Sequence, residues 1–256
     1  MYSNLNLSAY LELISLARKR LTSPQAYLQF QVLQGELLAA YLLRHNVMLQ
    51  AHTVLDVACG VGGYGLAMEK QGARVFAFDR FTIPTWKARN FFLSDAQQIP
   101  LPSNGFDLVV AASLIEHVLR PEYLIDELAR VTRAGGYIYL SFPPFYSPLG
   151  GHQFSPFHLL GERMAIKIFQ KFNPLAKYAW IEEDYSVDPH SFSSSHGQWG
   201  LYRRTILQVR RLLSHSKLRL IDQSTRLSPI NVSRIPFLGE FLTWHVQFLL
   251  EKPERQ

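Results

Sequence analysis

The segment from Val54 to Gly65, with the sequence VLDVACGVGGYG, constrains the fold of this chain more than any other segment. It begins as a short, mainly apolar run that is typical of a β-strand, passes through glycines and continues into a helical pattern. Glycines such as Gly60 and Gly62 adopt positive φ without strain and let a ligand approach the backbone at a helix N-terminus. The pattern therefore predicts an α/β fold with a ligand site at this turn.

The segments around this turn alternate between β-rich and helical patterns, which predicts a Rossmann-like, mostly parallel sheet with helices on both faces. The predicted strands are Thr53–Val57, Arg74–Phe78, Phe91–Ser94, Asp107–Ala112 and Tyr137–Phe142, and the predicted helices between them are Gly62–Gln71 and Pro121–Thr132. The pattern resumes near the C-terminus with a helix at Thr205–Ser214 and strands at Leu218–Ser224 and Leu242–Glu251.

Four regions are expected along the chain. Residues 1–50 form an N-terminal helical extension of two helices that are separated at Ser23 and Pro24, where Ser23 caps the second helix. Residues 51–142 form the Rossmann-like core. Residues 143–200, rich in proline, glycine, serine and aromatic residues, form an inserted cap after the fifth strand, with a helical island near residues 159–172. Residues 201–256 complete the core sheet.

The cysteine content and the charge distribution limit the cellular location and the binding partners expected for this chain. The only cysteine, Cys59, excludes an internal disulfide and a multi-cysteine zinc site, so a cytoplasmic location is expected. No signal peptide is expected, because the N-terminus lacks the basic and apolar pattern of a leader. No transmembrane segment is expected, because the most apolar later stretches are interrupted by Glu36, Arg44 or His245. The net charge of +6 comes from residues 201–256. Four arginines there are expected on one basic helical face: Arg203, Arg204, Arg210 and Arg211. This face is either solvated or a docking surface for an acidic substrate, an anionic membrane or nucleic acid.

Asp56 distinguishes between two interpretations of the glycine turn. The spacing Gly60-x-Gly62-x-x-Gly65 also satisfies the dinucleotide fingerprint, and Asp79 stands near the position of its ribose-binding acid, so an NAD(P)-binding Rossmann oxidoreductase is an alternative. A carboxylate at the end of the strand would repel a pyrophosphate, by about 1 kcal/mol at ~4 Å even in bulk water. It would instead attract a ligand that carries an ammonium group.

With Asp56 included, the turn reads Asp56-x-Ala58-x-Gly60-x-Gly62. This resembles the Asp/Glu-x-Gly-x-Gly-x-Gly motif of the class I S-adenosylmethionine-dependent methyltransferases, of the type 11-like group that includes quinone-biosynthesis methyltransferases. Ala58 replaces the first glycine, where only a small residue is expected to be needed. The resemblance covers residues 53–142 and implies seven strands, with Leu242–Glu251 antiparallel at the edge. Further matching segments are Ser94–Leu101, Gly105–Val110, Ser113–Val118 and Leu128–Tyr137.

The resemblance implies S-adenosylmethionine as the cofactor. Asp56 would face its amine, Asp79 would accept its ribose hydroxyls and Asp95 would accept its adenine amino group. The cofactor-binding residues implied in this way are Asp56, Ala58, Gly60, Gly62, Asp79, Arg80, Asp95, Ala96 and Ser113. The structural alternative is that the three aspartates cap helices or close turns. Cys59, inside the glycine turn and without a flanking base, is expected to be a small packing residue.

Methyl transfer depends mainly on alignment of the nucleophile with the methyl group and its leaving sulfur. A hydroxyl acceptor would also use a general base, which contributes about 10²–10⁴-fold. The catalytic candidates are His117, in the segment after the fourth strand, and Tyr146 and His152, in the loop after the fifth. For each, the alternative is a structural role. The histidines of the inserted cap match no compact ligand spacing, so no metal is expected.

The hypothesis from sequence is methyl transfer to a small-molecule, lipid-linked or glycan acceptor, with oxygen favoured over carbon or nitrogen. Two alternatives remain besides the oxidoreductase. One is a methyltransferase-like module without activity that serves as a partner in a complex. The other is an RNA methyltransferase that uses the basic C-terminal region, although no basic motif interleaved with aromatic residues supports nucleic-acid binding.

Overall fold

The computed structural model describes residues 7–81, 90–172, 190–194, 200–226, 228 and 230–254. Residues 173–189 and 195–199 of the expected cap lie outside the described residues. Seven strands form one sheet in the order β3-β2-β1-β4-β5-β7-β6. They are β1 (Thr53–Val57), β2 (Arg74–Asp79), β3 (Phe91–Leu93), β4 (Phe106–Ala112), β5 (Thr132–Phe142), β6 (Arg219–Thr225) and β7 (Val246–Glu251).

The predicted mostly parallel, seven-stranded sheet is confirmed. β1 pairs in parallel with both β2 and β4, and β2 pairs in parallel with β3. The predicted position of the last strand is wrong, because β7 lies between β5 and β6 and β6 forms the edge. The reason lies in burial: five of the six residues of β7 are buried, whereas β6 begins with two exposed residues. A strand covered on both faces belongs in the sheet interior.

The antiparallel direction of β7 is confirmed by the backbone around its end. The N–H of Gly135 donates to the carbonyl of Lys252, and the N–H of Lys252 donates to the carbonyl of Gly136. The end of β7 therefore lies beside the start of β5, so these two strands run in opposite directions.

Two helices precede the sheet, α1 (Leu7–Lys19) and α2 (Pro24–Arg44), and the predicted break between them is confirmed. The hydroxyl of Ser23 accepts the N–H of Ala26 at 3.1 Å, and Pro24 occupies the first helical turn. This arrangement satisfies one of the free N–H groups of α2 and uses proline where no N–H is needed.

Within the described residues the other α-helices are α3 (Gly63–Glu69), α4 (Pro121–Val131), α5 (Glu162–Phe172), α6 (Ile206–His215) and α7 (Leu238–Leu242). Thr205 and Gln208 form a capping box that begins α6. Because the helix begins after Thr205, Arg203 and Arg204 do not lie on it, and the predicted four-arginine helical face is wrong. The Arg204 guanidinium instead donates to the carbonyls of Ile115, Val118 and Leu119.

The chain packs into two compact units. The first contains residues 1–112, 127–138 and 251–256, and its core includes the strands β1 and β2 and the helices α2 and α3. The second contains residues 113–126 and 139–250. Its apolar cluster comprises Phe145, Phe154, Ala165, Ile166, Phe169, Phe192 and Leu201. Among the described helices, none has both the length and the apolarity required to cross a bilayer.

Candidate functional site

The glycine turn between β1 and α3 is built from alternating residues in left-handed conformation. Ala58, Gly60 and Gly62 have φ values of 54°, 56° and 84°, and Gly62 is the N-cap of α3. The expectation that position 58 requires only a small residue was incomplete, because its positive φ also favours glycine. A left-handed residue with a Cβ atom carries about 1–2 kcal/mol of strain.

Asp56 lies at the end of β1 and is 2% exposed. Its Oδ2 accepts the N–H of Gly65 at 3.0 Å, so the carboxylate binds the backbone of α3 as the capping alternative expected. Burial raises the pKa of Asp56 to about 7, with a further rise from the charge of Asp79 and a partial offset from the Gly65 hydrogen bond. A cation bound here would stabilise the carboxylate form.

Asp79 connects the end of β2 to the glycine turn. Its Oδ2 accepts the N–H of Gly60 at 2.9 Å, and its Oδ1 accepts the N–H of Arg80 at 2.7 Å. Burial raises the pKa of Asp79, and these backbone hydrogen bonds offset part of the rise. The carboxylate is thus held in one orientation beside the turn.

Asp95 follows β3 and lies close to Arg80, with Arg80 Nη2 at 3.5 Å from Asp95 Oδ2. Asp95 Oδ1 also accepts the N–H of Gln97 at 2.8 Å, so this residue closes a turn as well. Ala96, within the same turn, is buried. The first unit thereby brings together eight of the nine predicted cofactor-binding residues, at or just beyond the ends of β1, β2 and β3. They are Asp56, Ala58, Gly60, Gly62, Asp79, Arg80, Asp95 and Ala96.

Gln31 of α2 is a component of this turn that the sequence interpretation missed. Its Oε1 accepts the N–H of Gly63 at 3.1 Å. A Cβ atom on Gly60 would lie 3.1 Å from Gln31 Nε2, and one on Gly63 would lie 2.4 Å from Gln31 Cβ. Because Gln31 is about thirty residues away in the chain, no local motif indicates this contact.

Cys59 is 2% exposed, in agreement with a packing role. Burial raises the pKa of its thiol, and the nearby charges of Asp56 and Asp79 raise it further. Since the thiolate is the nucleophilic form, this environment suppresses reactivity.

The remaining predicted cofactor residue, Ser113, belongs to the second unit and follows β4. Its φ is 55°, and its N–H donates to the carbonyl of Ser141 at 2.7 Å. Its Oγ lies 3.0 Å from Nε2 of His245. Burial lowers the pKa of His245 well below the usual range, so this imidazole is neutral at pH 7.

Two of the three catalytic candidates, His117 and His152, lie together in the second unit. Their ring centroids are 4.8 Å apart, and both lie beside Glu116, which the sequence interpretation did not single out. His152 Nε2 is 3.6 Å from Glu116 Oε1, and His117 Nδ1 is 2.7 Å from the carbonyl oxygen of Gly200. The only sequence signal was the adjacency of Glu116 and His117, which does not reveal the approach of His152.

Burial shifts the pKa values of Glu116 and His117. Glu116 is 2% exposed, and burial raises its pKa to about 7, although the charges of His117 and Arg204 lower it in part. Burial lowers the pKa of His117 to about 4, so this imidazole is neutral at pH 7. A neutral imidazole retains one ring nitrogen with a lone pair.

Tyr146, the third catalytic candidate, packs within the aromatic part of the second unit. Its ring lies 5.4 Å from that of Phe145 and 5.6 Å from that of Phe241, measured between centroids. Nearby, His158 is buried, with Nε2 at 2.8 Å from the carbonyl oxygen of Phe145. These contacts anchor the loop that follows β5.

Residues 55–140 match a family of methyltransferase domains. The chain is 29% identical over 146 residues to an uncharacterized methyltransferase of Mycobacterium bovis, a match that covers 54% of this chain and 58% of the relative. It is 28% identical over 127 residues to one of Mycolicibacterium vanbaalenii, covering 46% and 50% of the two chains. The chain thus spans about half the length of the curated relatives it matches.

Solved structures share the fold at low sequence identity. An S-adenosylmethionine-dependent methyltransferase of Clostridium acetobutylicum aligns with a TM-score of 0.57 and 12% identity, covering 86% of this chain and 90% of that one. The 1,6-didemethyltoxoflavin-N1-methyltransferase of Burkholderia thailandensis, solved with S-adenosylhomocysteine, aligns with a TM-score of 0.52 and 17% identity, covering 84% and 76%. At these identities the similarity concerns the fold, and it agrees with the predicted class.

Proposed function

The chain carries a class I methyltransferase domain, and from this premise we propose that it transfers a methyl group from S-adenosylmethionine to a small-molecule, lipid-linked or glycan acceptor. Oxygen is the favoured acceptor atom. The transfer forms a bond between the acceptor atom and the methyl carbon and breaks the bond between that carbon and the sulfonium sulfur. S-adenosylhomocysteine is the leaving product, and the acceptor hydroxyl loses its proton.

One observation carries the cofactor assignment: Asp56 and Asp79 are both buried at neighbouring strand ends, joined to one glycine turn through the N–H groups of Gly65 and Gly60. The proposed roles are that Asp56 binds the cofactor amine and Asp79 accepts the ribose hydroxyls. Asp95 accepts the adenine amino group. A pyrophosphate is disfavoured at this position, because two buried carboxylates would repel it.

The proton of a hydroxyl acceptor requires a base or another means of lowering the hydroxyl pKa. His152 is the candidate with a carboxylate beside it, since Glu116 would stabilise its protonated form. His117, whose Nδ1 lies 2.7 Å from the carbonyl oxygen of Gly200, is the second candidate. Tyr146 is the third candidate.

Isothermal titration calorimetry of the full chain with S-adenosylmethionine, S-adenosylhomocysteine and NADH tests the cofactor. We expect both sulfur ligands to bind and NADH not to bind. Asp79→Asn should weaken binding at least about tenfold, since hydrogen bonds to a charged group contribute about 1.5–3 kcal/mol. Arg210→Ala, on α6, serves as the unaffected control. Binding of NADH without the sulfur ligands would replace this proposal with the oxidoreductase alternative.

A second experiment identifies the acceptor. The protein is incubated with S-adenosylmethionine carrying a ¹³C-labelled methyl group and with separate metabolite, lipid, glycan and RNA fractions. Labelled product from one of the first three fractions, with the chemical shift of an O-methyl group, is the expected result. Labelling of RNA alone would favour the RNA methyltransferase. Cofactor binding without product in any fraction would favour the module that lacks activity.

A further inference from the structure

We propose that Glu116, His117 and His152 form a binding site for a divalent transition-metal ion, with zinc as the best match. The three side chains belong to the same compact unit. One carboxylate and two imidazoles form a donor set typical of zinc sites that keep one coordination position open. This site was not expected from sequence, because Glu116 and His117 are adjacent and His152 lies in a different loop.

The geometry of the three donors is the first support. One ligand atom from each residue lies within 4.8 Å of the other two, and the His152 Nε2 to Glu116 Oε1 distance is 3.6 Å. Donors of one tetrahedral zinc ion lie about 3.3 Å apart, since each bond is ~2.0–2.1 Å long. Rotation of side chains by about 1 Å or less on each side would therefore close the site around an ion.

The state of Glu116 is the second and independent support. Its side chain is 2% exposed, and among the described residues neither carboxylate oxygen receives a hydrogen bond. The guanidinium of Arg204, the charged neighbour, donates to the carbonyls of Ile115, Val118 and Leu119. A buried carboxylate without donors is costly, and a metal ion would supply the missing positive charge.

The orientation of His117 is the third support. Its Nδ1 lies 2.7 Å from the carbonyl oxygen of Gly200 and donates its proton there, which leaves the lone pair on Nε2. Metal-binding histidines usually fix their tautomer by such a bond from the other ring nitrogen. The His152 side chain is 20% exposed, while its Nε2 is buried toward Glu116.

Metal binding goes beyond the proposed methyl transfer and does not depend on it. If both functions are present, the ion would take the place of a histidine base. Its open position would hold a water or hydroxyl, and zinc lowers the pKa of such a ligand to about 7. The histidine lone pairs would then be occupied by the metal, so His152 would position the ion rather than accept a proton.

Zinc binding is measured with the full chain, without an affinity tag, after dialysis against chelator. Isothermal titration with Zn²⁺ should give one ion per chain and a dissociation constant below about 10 μM. Co²⁺ should produce visible absorption bands of a four- or five-coordinate ion. Glu116→Gln and His152→Asn should each weaken Zn²⁺ binding at least about tenfold. Asparagine is chosen at position 152 because φ there is 49°, which asparagine tolerates.

The matched control is His190→Ala, which removes an exposed histidine elsewhere in the same unit and should leave zinc binding unchanged. Circular dichroism and thermal unfolding establish that each variant is folded. If a variant unfolds, the metal site is tested by the Co²⁺ absorption spectrum of the wild-type chain alone. Absence of Zn²⁺ binding by the wild-type chain, or binding by both ligand variants as tight as that of the wild-type chain, would overturn the metal site and leave the cofactor titrations unaffected.

Discussion

The side-chain oxygen of Gln31 accepts the backbone N–H of Gly63 at 3.1 Å and thereby ties α2 to the first residue of α3. The N–H groups of the first helical turn have no partner within the helix, so Gln31 satisfies one of them. The contact also requires that residue 63 lack a Cβ atom. The helix α2 of the N-terminal region thus contributes a side chain that holds the glycine turn in place.

Gly63→Ala should destabilise the fold by about 2 kcal/mol or more, because the new Cβ atom would lie 2.4 Å from Gln31 Cβ and 2.7 Å from the α2 backbone. Urea unfolding measures the effect. Gly105→Ala is the control, since its Cβ atom would meet its nearest neighbour at 3.6 Å. That variant should change stability by less than about 1 kcal/mol. Equal effects of the two substitutions would contradict the proposed packing.

Ala58→Gly should leave the free energy of unfolding unchanged or raise it by up to about 1 kcal/mol. Glycine relieves about 1–2 kcal/mol of left-handed strain at φ 54° but adds about 0.5–1 kcal/mol of chain entropy in the unfolded state. Ala67→Gly, within α3, serves as the comparison and should lose about 1 kcal/mol or more. A loss of similar size at position 58 would mean that the Ala58 backbone is not strained.

The sequence predicted those features that depend on residues close together in the chain. β1 has the predicted bounds, and the Ser23 cap of α2 was expected, because each depends on residues adjacent in the chain. Contacts between distant residues could not be predicted in this way. Gln31 reaches the glycine turn, and His152 reaches Glu116, only through tertiary packing. The interior position of β7 depends on what covers its faces, which the apolar pattern of one strand does not specify.

Cofactor binding should release a proton from Asp56 near neutral pH. Burial raises the pKa of Asp56 from 3.8 to about 7, and a bound ammonium group would lower it again. In the free protein the carboxyl is protonated below this pKa, so cofactor affinity should rise with pH up to about 7, by at most about tenfold per pH unit. Calorimetry in two buffers with different ionisation enthalpies measures the released proton.

The variant Asp56→Asn should bind the cofactor more weakly and with a flat pH dependence over the same range. Asp126→Asn, which removes an exposed carboxylate on α4, should behave as the wild-type chain does. Proton release that persists in Asp56→Asn would assign the titration to a different group and would remove the main electrostatic argument for Asp56 as the amine partner.

Glu116→Gln should change stability in a way that depends on pH, measured in chelator so that metal plays no part. Burial raises the Glu116 pKa from 4.5 to about 7, so the folded state binds this proton more tightly than the unfolded state. The resulting stability is present below pH 4.5 and is lost as pH rises through 7. Wild type should lose this stability between pH 5 and pH 8, whereas the variant should not. The unfolding free energy of the variant minus that of wild type should therefore rise by about 2–3 kcal/mol from pH 5 to pH 8.

Glu127→Gln is the control, because it makes the same chemical change at a carboxylate whose pKa is lowered in the folded protein rather than raised. The hydrogen bond from Arg130 lowers the pKa of Glu127, so this carboxylate contributes stability above its ordinary pKa and loses it only in acid. Glu127 is ionised at both pH 5 and pH 8, and the loss on substitution should be equal at the two values. A buried glutamine amide destabilises the fold at every pH if its hydrogen bonds are unsatisfied. The two variants are therefore compared by how much the effect of each substitution on the unfolding free energy changes between pH 5 and pH 8. A Glu116→Gln effect that is independent of pH would show that this carboxylate is not destabilised by burial.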